Sequence, residues 1–557
     1  MPPDWHLREV PADLARLYHR KGWWRDETLG QVLAAGLARA GGRDFRIHSL
    51  ARPWDGTLAD VAGLARAAAG GLRARGVHPG DVVAFQLPNW LEAAVTFYAA
   101  SFLGAVLVPI VHFYGPKEVS HILRQSRARA LVTADRFGHL DHLATLELLR
   151  PDLPDLEVVA VVNGDRPALH AGATPEGTVP FARLLDGPEL TGPVPVDPGC
   201  PAAVAYTSGT TADAKGVVHA HRTLVCEVRQ LGALQAPGAG PTLTGAPVAH
   251  GIGMLSGLLL PLDRGQPVHL TDVWDPGQVL EDMAASGLSA GSGSTYFLTS
   301  LLDHPALGAR HLELMRHIGL GGSSIPRAVA DRATRLGISI VRMYGSTEHP
   351  STTGATHADP LEKRLGTDGR PLAGVDVRVV EVDGEGRELP AGTPGEIVSR
   401  GPDCFLGYVD PALNRAAFDS DGWYATGDVG FLDRDGWLTI TDRKKDIIIR
   451  GGENVSAVEV EELLARMAGL AEVAVVAAPD RRLGEHGCAF LRLLPGAAAP
   501  DLETVRAHLE AAGLARQKWP EELRVVEELP RTPSGKVQKF ALRDRLRAEA
   551  AGSAPVS

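Results

Sequence analysis

Residues 58–110 decide the fold: LADVAGLARAAAGGLRARG (58–76), DVVAFQL (81–87), LEAAVTFYAASFLGA (91–105) and VLVPI (106–110). The first and third repeat apolar residues at helical spacing, and the second and fourth are short apolar runs of strand length. This alternation is βαβ grammar, which predicts an α/β protein built on a mostly parallel, covered sheet. It returns further on, where VVHAHRTLVCEVRQL (217–231) reads as a helix, QPVHL (266–270) as a strand and PGQVLEDMAASG (276–287) as another helix. Two stacked α/β layers are expected.

From about residue 371 to 442 the character changes to short strands broken by turns. These include VDGEGREL (382–389), PGEIVSRG (394–401) and GFLDRDGWLTI (430–440), where Asp435-Gly436 marks a hairpin. An α+β unit follows. Ser456 with Glu459 forms a capping-box signature ahead of Val460, Leu463, Leu464 and Met467. Strands AEVAVVAA (471–478) and CAFLRLL (488–494) and the helix DLETVRAHLEAAG (501–513) complete it. The predicted organisation is an N-terminal domain over 1–442 with a β subdomain at about 371–442, a C-terminal domain over 446–548 and a frayed tail over 549–557.

Composition excludes several functions. With 44% hydrophobic and 22% charged residues, a chain of 557 residues forms packed domains rather than a disordered polymer. A formal net charge of -11 offers no electrostatic footprint for nucleic acid or an anionic membrane, so a phosphate-bearing ligand must be held by a local site. No apolar run approaches the roughly 18 residues that span a bilayer, and the N-terminal MPPDWHLREV has no apolar h-region. The four cysteines lie far apart, without metal-ligand spacing, as buried reduced thiols of a cytoplasmic protein would.

The chemistry begins at TSGTTADAKGVVHAH (207–221). Successive N–H groups in a Gly- and Ser/Thr-rich turn cradle phosphate oxygens, hydroxyls add donors and a lysine adds charge. Thr207, Ser208, Gly209, Thr210, Thr211 and Lys215 meet that need. The order Lys215-Gly216 rules out a Walker A loop, which needs Gly-Lys-Ser/Thr. Alone, the stretch is equally a plain surface turn.

MYGSTEHP (343–350), YATGDVGFLDRDGWLTITDRKKDIIIRGGENV (424–455) and PRTPSGKVQK (530–539) follow in order. Together with the loop they resemble the adenylate-forming superfamily of acyl-CoA synthetases, carrier-loading adenylation domains and firefly luciferase, over roughly residues 27–545. The resemblance implies a large N-terminal domain of two α/β subdomains and a small β-barrel-like one, hinged to a small mobile C-terminal domain. It also implies that a carboxylate attacks the α-phosphate of ATP, that pyrophosphate leaves, and that a thiol takes the acyl-adenylate. ATP, Mg²⁺ and coenzyme A are the implied co-reactants.

Residue roles come from the same resemblance. The 207–215 loop would hold the β- and γ-phosphates; Ala212 and Ala214 replace the usual glycine and proline there, leaving every donor in place. Glu348 would bind Mg²⁺ and Thr347 would meet the α-phosphate. Gly321, Gly322 and Ser323 in LGGSSIP would form the adenine slot under Tyr344, although Ser323-Ser324 stands where relatives often carry Ala-Pro. Asp428 and Arg443 would bind the ribose, and Lys536 the substrate carboxylate and the bridging oxygen of ATP. Gly451 and Gly452 would border the pantetheine tunnel, with Lys445 as the hinge. His250 and Gly253 in APVAHGIGM and Tyr296 in GSTYFL would line the acyl pocket, Tyr296 closing its far end. Each has a plainer reading: a core histidine or tyrosine, a surface ion pair, a solvated lysine.

The wording is most similar to cyclohexanecarboxylate and medium-chain acyl-CoA ligases, implying a medium-length aliphatic, alicyclic or simple aromatic acid. Three alternatives stay open: an enzyme loading a phosphopantetheinyl carrier protein, a non-catalytic nucleotide-binding protein, and, least supported, a luciferase-like oxygenase. A monomer and a homodimer are equally compatible with the sequence.

Overall fold

The computed structural model describes residues 5–164, 166–170, 174–207, 214–290, 293, 295–322, 325, 327–382, 386–450, 453–480, 482–531 and 537–552. Packing divides the chain into two units, Met1–Asp376 with Ser399–Tyr424, and Val377–Val398 with Ala425–Ser557.

The first unit realises the βαβ reading. Thr57 caps the helix Leu58–Ala74 by accepting from the Asp60 N–H, and Asp60 answers on the Thr57 N–H. Val82–Gln86, Val106–Pro109, Ala130–Ala134 and Val158–Val162 pair in parallel at the centre of an eight-stranded sheet. A five-stranded sheet runs Ser289–Ala290, Thr242–Thr244, Val268–Thr271, Asp44–His48 and Trp54–Thr57. The helix Leu91–Leu103 is buried along its whole length, in one core with Phe85 of the first sheet and Phe45 and Leu270 of the second. It therefore lies apolar on every side, as a helix between two sheets must. Gly104, at φ 71°, ends it in the left-handed region where a side chain would strain, turning the chain into Val106–Pro109.

VVHAHRTLVCEVRQL is not one helix. Lys215–Ala220 is a strand, antiparallel to Pro201–Thr207, and the helix is His221–Leu234. Val217, Val218, His219 and Ala220 are all buried because both faces of the strand are covered: Val218 packs in one core with Val204 and Tyr206, and Val217 in another with Phe405 and Tyr408. A fully covered strand loses its period of two and reads like the helix beside it.

In the second unit Asp376–Val380, Gly395–Arg400, Tyr424–Leu432 and Leu438–Arg443 form a four-stranded sheet. No pairing joins its two edge strands among the described residues, so the expected barrel-like form is an open sheet. The remaining strands, Glu453–Val455, Ile448–Arg450, Gly484–Leu493, Leu470–Asp480 and Glu522–Val525, make the α+β sheet with helices Ala457–Leu464 and Leu502–Ala511. Ser456 caps as expected, but only half of the box forms, because the Glu459 carboxylate goes to Lys518 Nζ at 2.6 Å. The last helix, Lys539–Gly552, runs past Ala548, where the sequence suggests fraying. Cys226, Cys404 and Cys488 are buried free thiols, while Cys200 is exposed.

Candidate active site

The 207–215 loop springs from a β-hairpin whose last pair is Thr207 opposite Lys215. Ser208, Gly209, Thr210 and Thr211 lie outside the described residues, as do Ser323, Gly451, Gly452 and Lys536. Lys215 sits with its ammonium 5.2 Å from the centroid of the Tyr408 ring. Tyr408 belongs to the neighbouring strand, whose register sets Tyr408 opposite Val217. Its hydroxyl donates to Glu348 Oε1 at 2.8 Å. One tyrosine thus joins the lysine of the first motif to the glutamate of the second. Burial, and then the nearby Glu348 carboxylate, push the Tyr408 phenol well above its ordinary range, so it remains a donor. Tyr424 is hydrogen-bonded to Tyr408 in turn, and burial raises it likewise.

The segment carrying Thr347 and Glu348 leaves the strand Ser339–Tyr344, whose last residue is buried. Gly345 has no room for a side chain, since a Cβ there would come within 1.8 Å of Pro350 O. The Phe405 N–H holds Glu348 O at 2.9 Å, and His219 Nε2 lies 2.7 Å from Thr347 O. Behind the segment, Glu227 is wholly buried and accepts from Ser351 Oγ at 2.6 Å.

Gly321 continues the strand His317–Leu320, and a Cβ on it would meet Met343 O at 3.0 Å. Gly322 is at φ 74°, with Ile252 Cδ1 2.9 Å from where a Cβ would be. Gly321 and Gly322 are therefore packed against the residue before Tyr344 and against the segment following His250. That segment is fixed by Asn89, whose Nδ2 donates to Ala246 O and Thr271 O at 3.0 Å and whose Oδ1 accepts from Val248 N–H at 2.8 Å. His250 is half-buried at the N-cap of a short helical turn, where the Met254 N–H donates to its carbonyl. A Cβ on Gly253 would lie 2.1 Å from Pro247 O, so this glycine permits a backbone crossing. Tyr296 is 51% exposed, its ring centroid 5.7 Å from that of Phe297.

In the second unit Asp428 and Arg443 face each other in register, Nε to Oδ1 at 2.9 Å, with Asp428 buried and Arg443 partly exposed. Lys445 lies in the turn after that strand, closed by Asp446 and Ile447 N–H groups on Arg443 O at 2.8 and 3.1 Å.

Residues 53–409 match the AMP-binding enzyme family, and residues 459–536 match the AMP-binding enzyme C-terminal domain. The chain belongs to the AMP-binding enzyme family. It is 35% identical to the medium-chain fatty-acid–CoA ligase of Escherichia coli (strain K12), over 84% of this chain and 82% of that protein. It is 34% identical to a salicylyl-CoA synthase / salicylate adenylyltransferase of Streptomyces sp, over 97% of both. Its fold matches that of the anthranilate CoA ligase AuaEII in complex with anthranoyl-AMP, with a TM-score of 0.82 at 26% identity over 94% of this chain and 98% of that one. The reaction class is AMP-forming acid–thiol ligation: ATP activates a carboxylic acid, and coenzyme A takes the acyl group.

The residues present suit the Mg²⁺ that this reaction uses. Among the described residues no cluster of three or more His, Cys, Asp or Glu stands ready for a metal. Mg²⁺ on a nucleotide needs only one or two carboxylates and takes its other oxygens from phosphates and water. Glu348, hydrogen-bonded by Tyr408, could serve as such a carboxylate.

Sequence reasoning passes over Tyr408, Tyr424, Asn89, Glu227 and His219 as site residues. Tertiary contacts mark them, with Asn89, His219 and Glu227 more than a hundred positions from their partners and Tyr408 sixty from Glu348, and a linear pattern does not carry these contacts.

Glu227 gives a prediction about stability. Burial, and then the Asp403 charge, raise its carboxyl to about 8. Between its unfolded value, about 4.3, and 8, the folded protein holds a proton that the unfolded chain releases. Its stabilising contribution is complete below that window and is lost as pH rises through it. The melting temperature of Glu227→Gln, measured from pH 5 to 8.5, should fall less with pH than that of the wild type. Parallel curves would show that Glu227 ionises alike in both states.

Proposed function

We propose that this site activates a medium-length aliphatic, alicyclic or simple aromatic carboxylic acid and transfers it to free coenzyme A in the cytoplasm. The observation that carries the reading is the meeting of Lys215 and Glu348 on Tyr408, which gathers a cation, a hydroxyl and a carboxylate beside the phosphate-loop hairpin. Glu348 would hold Mg²⁺, which when bound would supply charge neutralisation for attack at the α-phosphorus. Thr347 offers its hydroxyl to the α-phosphate, Tyr344 its ring to adenine, and Asp428 and Arg443 their polar groups to the ribose.

The acyl side is apolar. Ile252, Met254 and Leu258 follow His250, and buried carbon supplies affinity for an uncharged acyl body. A cavity of about 60 Å³ lies behind Met343, with Ser256, Leu260, Gly319 and Val341 in its lining. Arg264, Gln266, His317 and His357 also line it, and neither His250 nor Gly253 does, so it is not the acyl pocket. Tyr296 does not line this cavity. Histidine at 250, where 2-hydroxybenzoate adenylators tend to carry asparagine, disfavours salicylate.

The test is kcat/KM across hexanoate, octanoate, cyclohexanecarboxylate, benzoate, salicylate and palmitate, for the wild type and for Tyr296→Ala. Hexanoate, octanoate, cyclohexanecarboxylate or benzoate should lead. A lead for palmitate or salicylate contradicts the substrate class, and an unchanged length profile in Tyr296→Ala removes that residue from the pocket.

A further inference from the structure

The residue after Glu348 is a histidine with no solvent access. His349 is 0% exposed, with Nδ1 2.8 Å from Ser399 Oγ and Nε2 3.2 Å from Asp403 Oδ1. Ser399 and Asp403 are themselves fully buried. A carboxylate only accepts, so Nε2 carries a proton toward Asp403, and both ends of the ring are occupied. Room for the ring exists because residue 401 is glycine: a Cβ there would lie 2.8 Å from His349 Nε2 and 3.0 Å from Asp403 Oδ1.

The backbone of His349 is held as firmly. Its carbonyl accepts from the Ser346 N–H at 3.0 Å and from Thr352 Oγ1 at 3.1 Å. On the other side of Glu348, the Thr347 carbonyl meets His219 Nε2, which must be protonated to donate to it. Burial lowers the His219 imidazole's affinity for a second proton, which suits a neutral ring in that place. Glu348 therefore stands between Thr347, whose carbonyl meets the buried His219 imidazole, and His349, whose own imidazole is buried, while its own carbonyl is bonded to Phe405 and its carboxylate to Tyr408. Nothing in fold stability alone requires a buried His–Asp pair here, since such pairs are weak contributors next to apolar packing. Outer-shell partners that aim a ligating carboxylate do require such pairing.

We propose that His349, clamped between Ser399 and Asp403, is a positioning residue that aims the Glu348 carboxylate for the adenylation half-reaction, with His219 as its counterpart on Thr347. This rests on the reading of Glu348 as the carboxylate that meets Mg²⁺ and the ATP phosphates. Transfer of the acyl group from a finished adenylate to coenzyme A uses neither, so the two half-reactions separate positioning from general damage.

The experiment measures both half-reactions in the full-length protein for His349→Leu, His349→Gln, Ser399→Ala and Glu348→Gln, and for His349→Leu combined with Glu348→Gln. A second readout is the Mg²⁺-dependent part of the melting-temperature rise given by a non-hydrolysable ATP analogue. His349→Leu is expected to lower adenylation by about 10–100-fold, the usual cost of losing an outer-shell partner. Thioester formation from supplied acyl-adenylate should hold within two-fold, the Mg²⁺-dependent rise should shrink, and little further loss should appear in the Glu348→Gln background. His349→Gln, which can still donate to Asp403, should recover part of the rate. Ser399→Ala, a small change that tests the clamp if His349→Leu fails to fold, should show the same selective loss at smaller size. Equal loss in both half-reactions, or a full additional loss in the Glu348→Gln background, overturns the proposal. Unchanged adenylation in Glu348→Gln overturns the reading of Glu348 beneath it.

Discussion

Lys536→Ala is expected to slow acyl-adenylate formation by about 10²–10³-fold, the scale for loss of one preorganised donor to charge that develops in a transition state. Transfer from supplied acyl-adenylate to coenzyme A should survive. On either side of the motif, the Gln538 N–H donates to Pro530 O at 2.7 Å, and Arg531 and Val537 form a bridge. The neighbouring cations are already used. Lys539 pairs with Glu461 at 2.8 Å, Arg531 with Glu472, Arg543 with Asp446, and Arg545 with Glu549 at 3.0 Å. The first three pairs fasten the last helix and its approach to their own unit, and the fourth lies within the helix; Lys536 itself lies outside the described residues, and its role is the one the family resemblance implies. Rates of pyrophosphate release and of thioester formation, measured separately, check it. Equal losses in the two contradict the role.

Lys445→Pro is expected to abolish coenzyme A ligation while acyl-adenylate still forms. The turn holding Lys445 connects Leu438–Arg443 to Ile448–Arg450, and so the open sheet to the α+β sheet. Across it, Ser456 Oγ donates to Thr441 O at 3.2 Å, and Asp446 pairs with Arg543 of the last helix. A hinge residue absorbs a change in φ and ψ. Proline fixes φ near −65° and also restricts Lys444 before it, so the turn keeps one geometry. Single-turnover assays of each half-reaction decide the matter, and overall ligation within a few-fold of wild type removes Lys445 from the hinge.

Both predictions rest on motifs legible in the amino-acid sequence, and much of the fold is legible there for a similar reason. Helix Leu91–Leu103 and strands Val82–Gln86 and Val106–Pro109 lie within a residue or two of where local periodicity sets them, because each element's pattern is complete in itself. Strand Lys215–Ala220 is hidden in a helical pattern because burial on both faces erases its alternation. The open sheet reads as barrel-like because closure depends on which edge strands meet, and edge pairing is not written in any one strand. Among the proposed site residues, Lys215 and Glu348 in the first unit and Asp428 and Arg443 in the second are legible from their motifs. Tyr408, Asp403 and Ser399 are not, since each matters only through what it touches: Glu348 sixty positions away in one case, His349 about fifty in the others.

The most direct measurement is a single incubation of the full-length protein with MgATP, octanoate or cyclohexanecarboxylate, and coenzyme A, with no carrier protein, followed by mass spectrometry. The account predicts acyl-CoA and AMP in equal amounts. Acyl-adenylate that accumulates without thioester until a phosphopantetheinyl carrier is added, or ATP that stays intact with every acid, contradicts it.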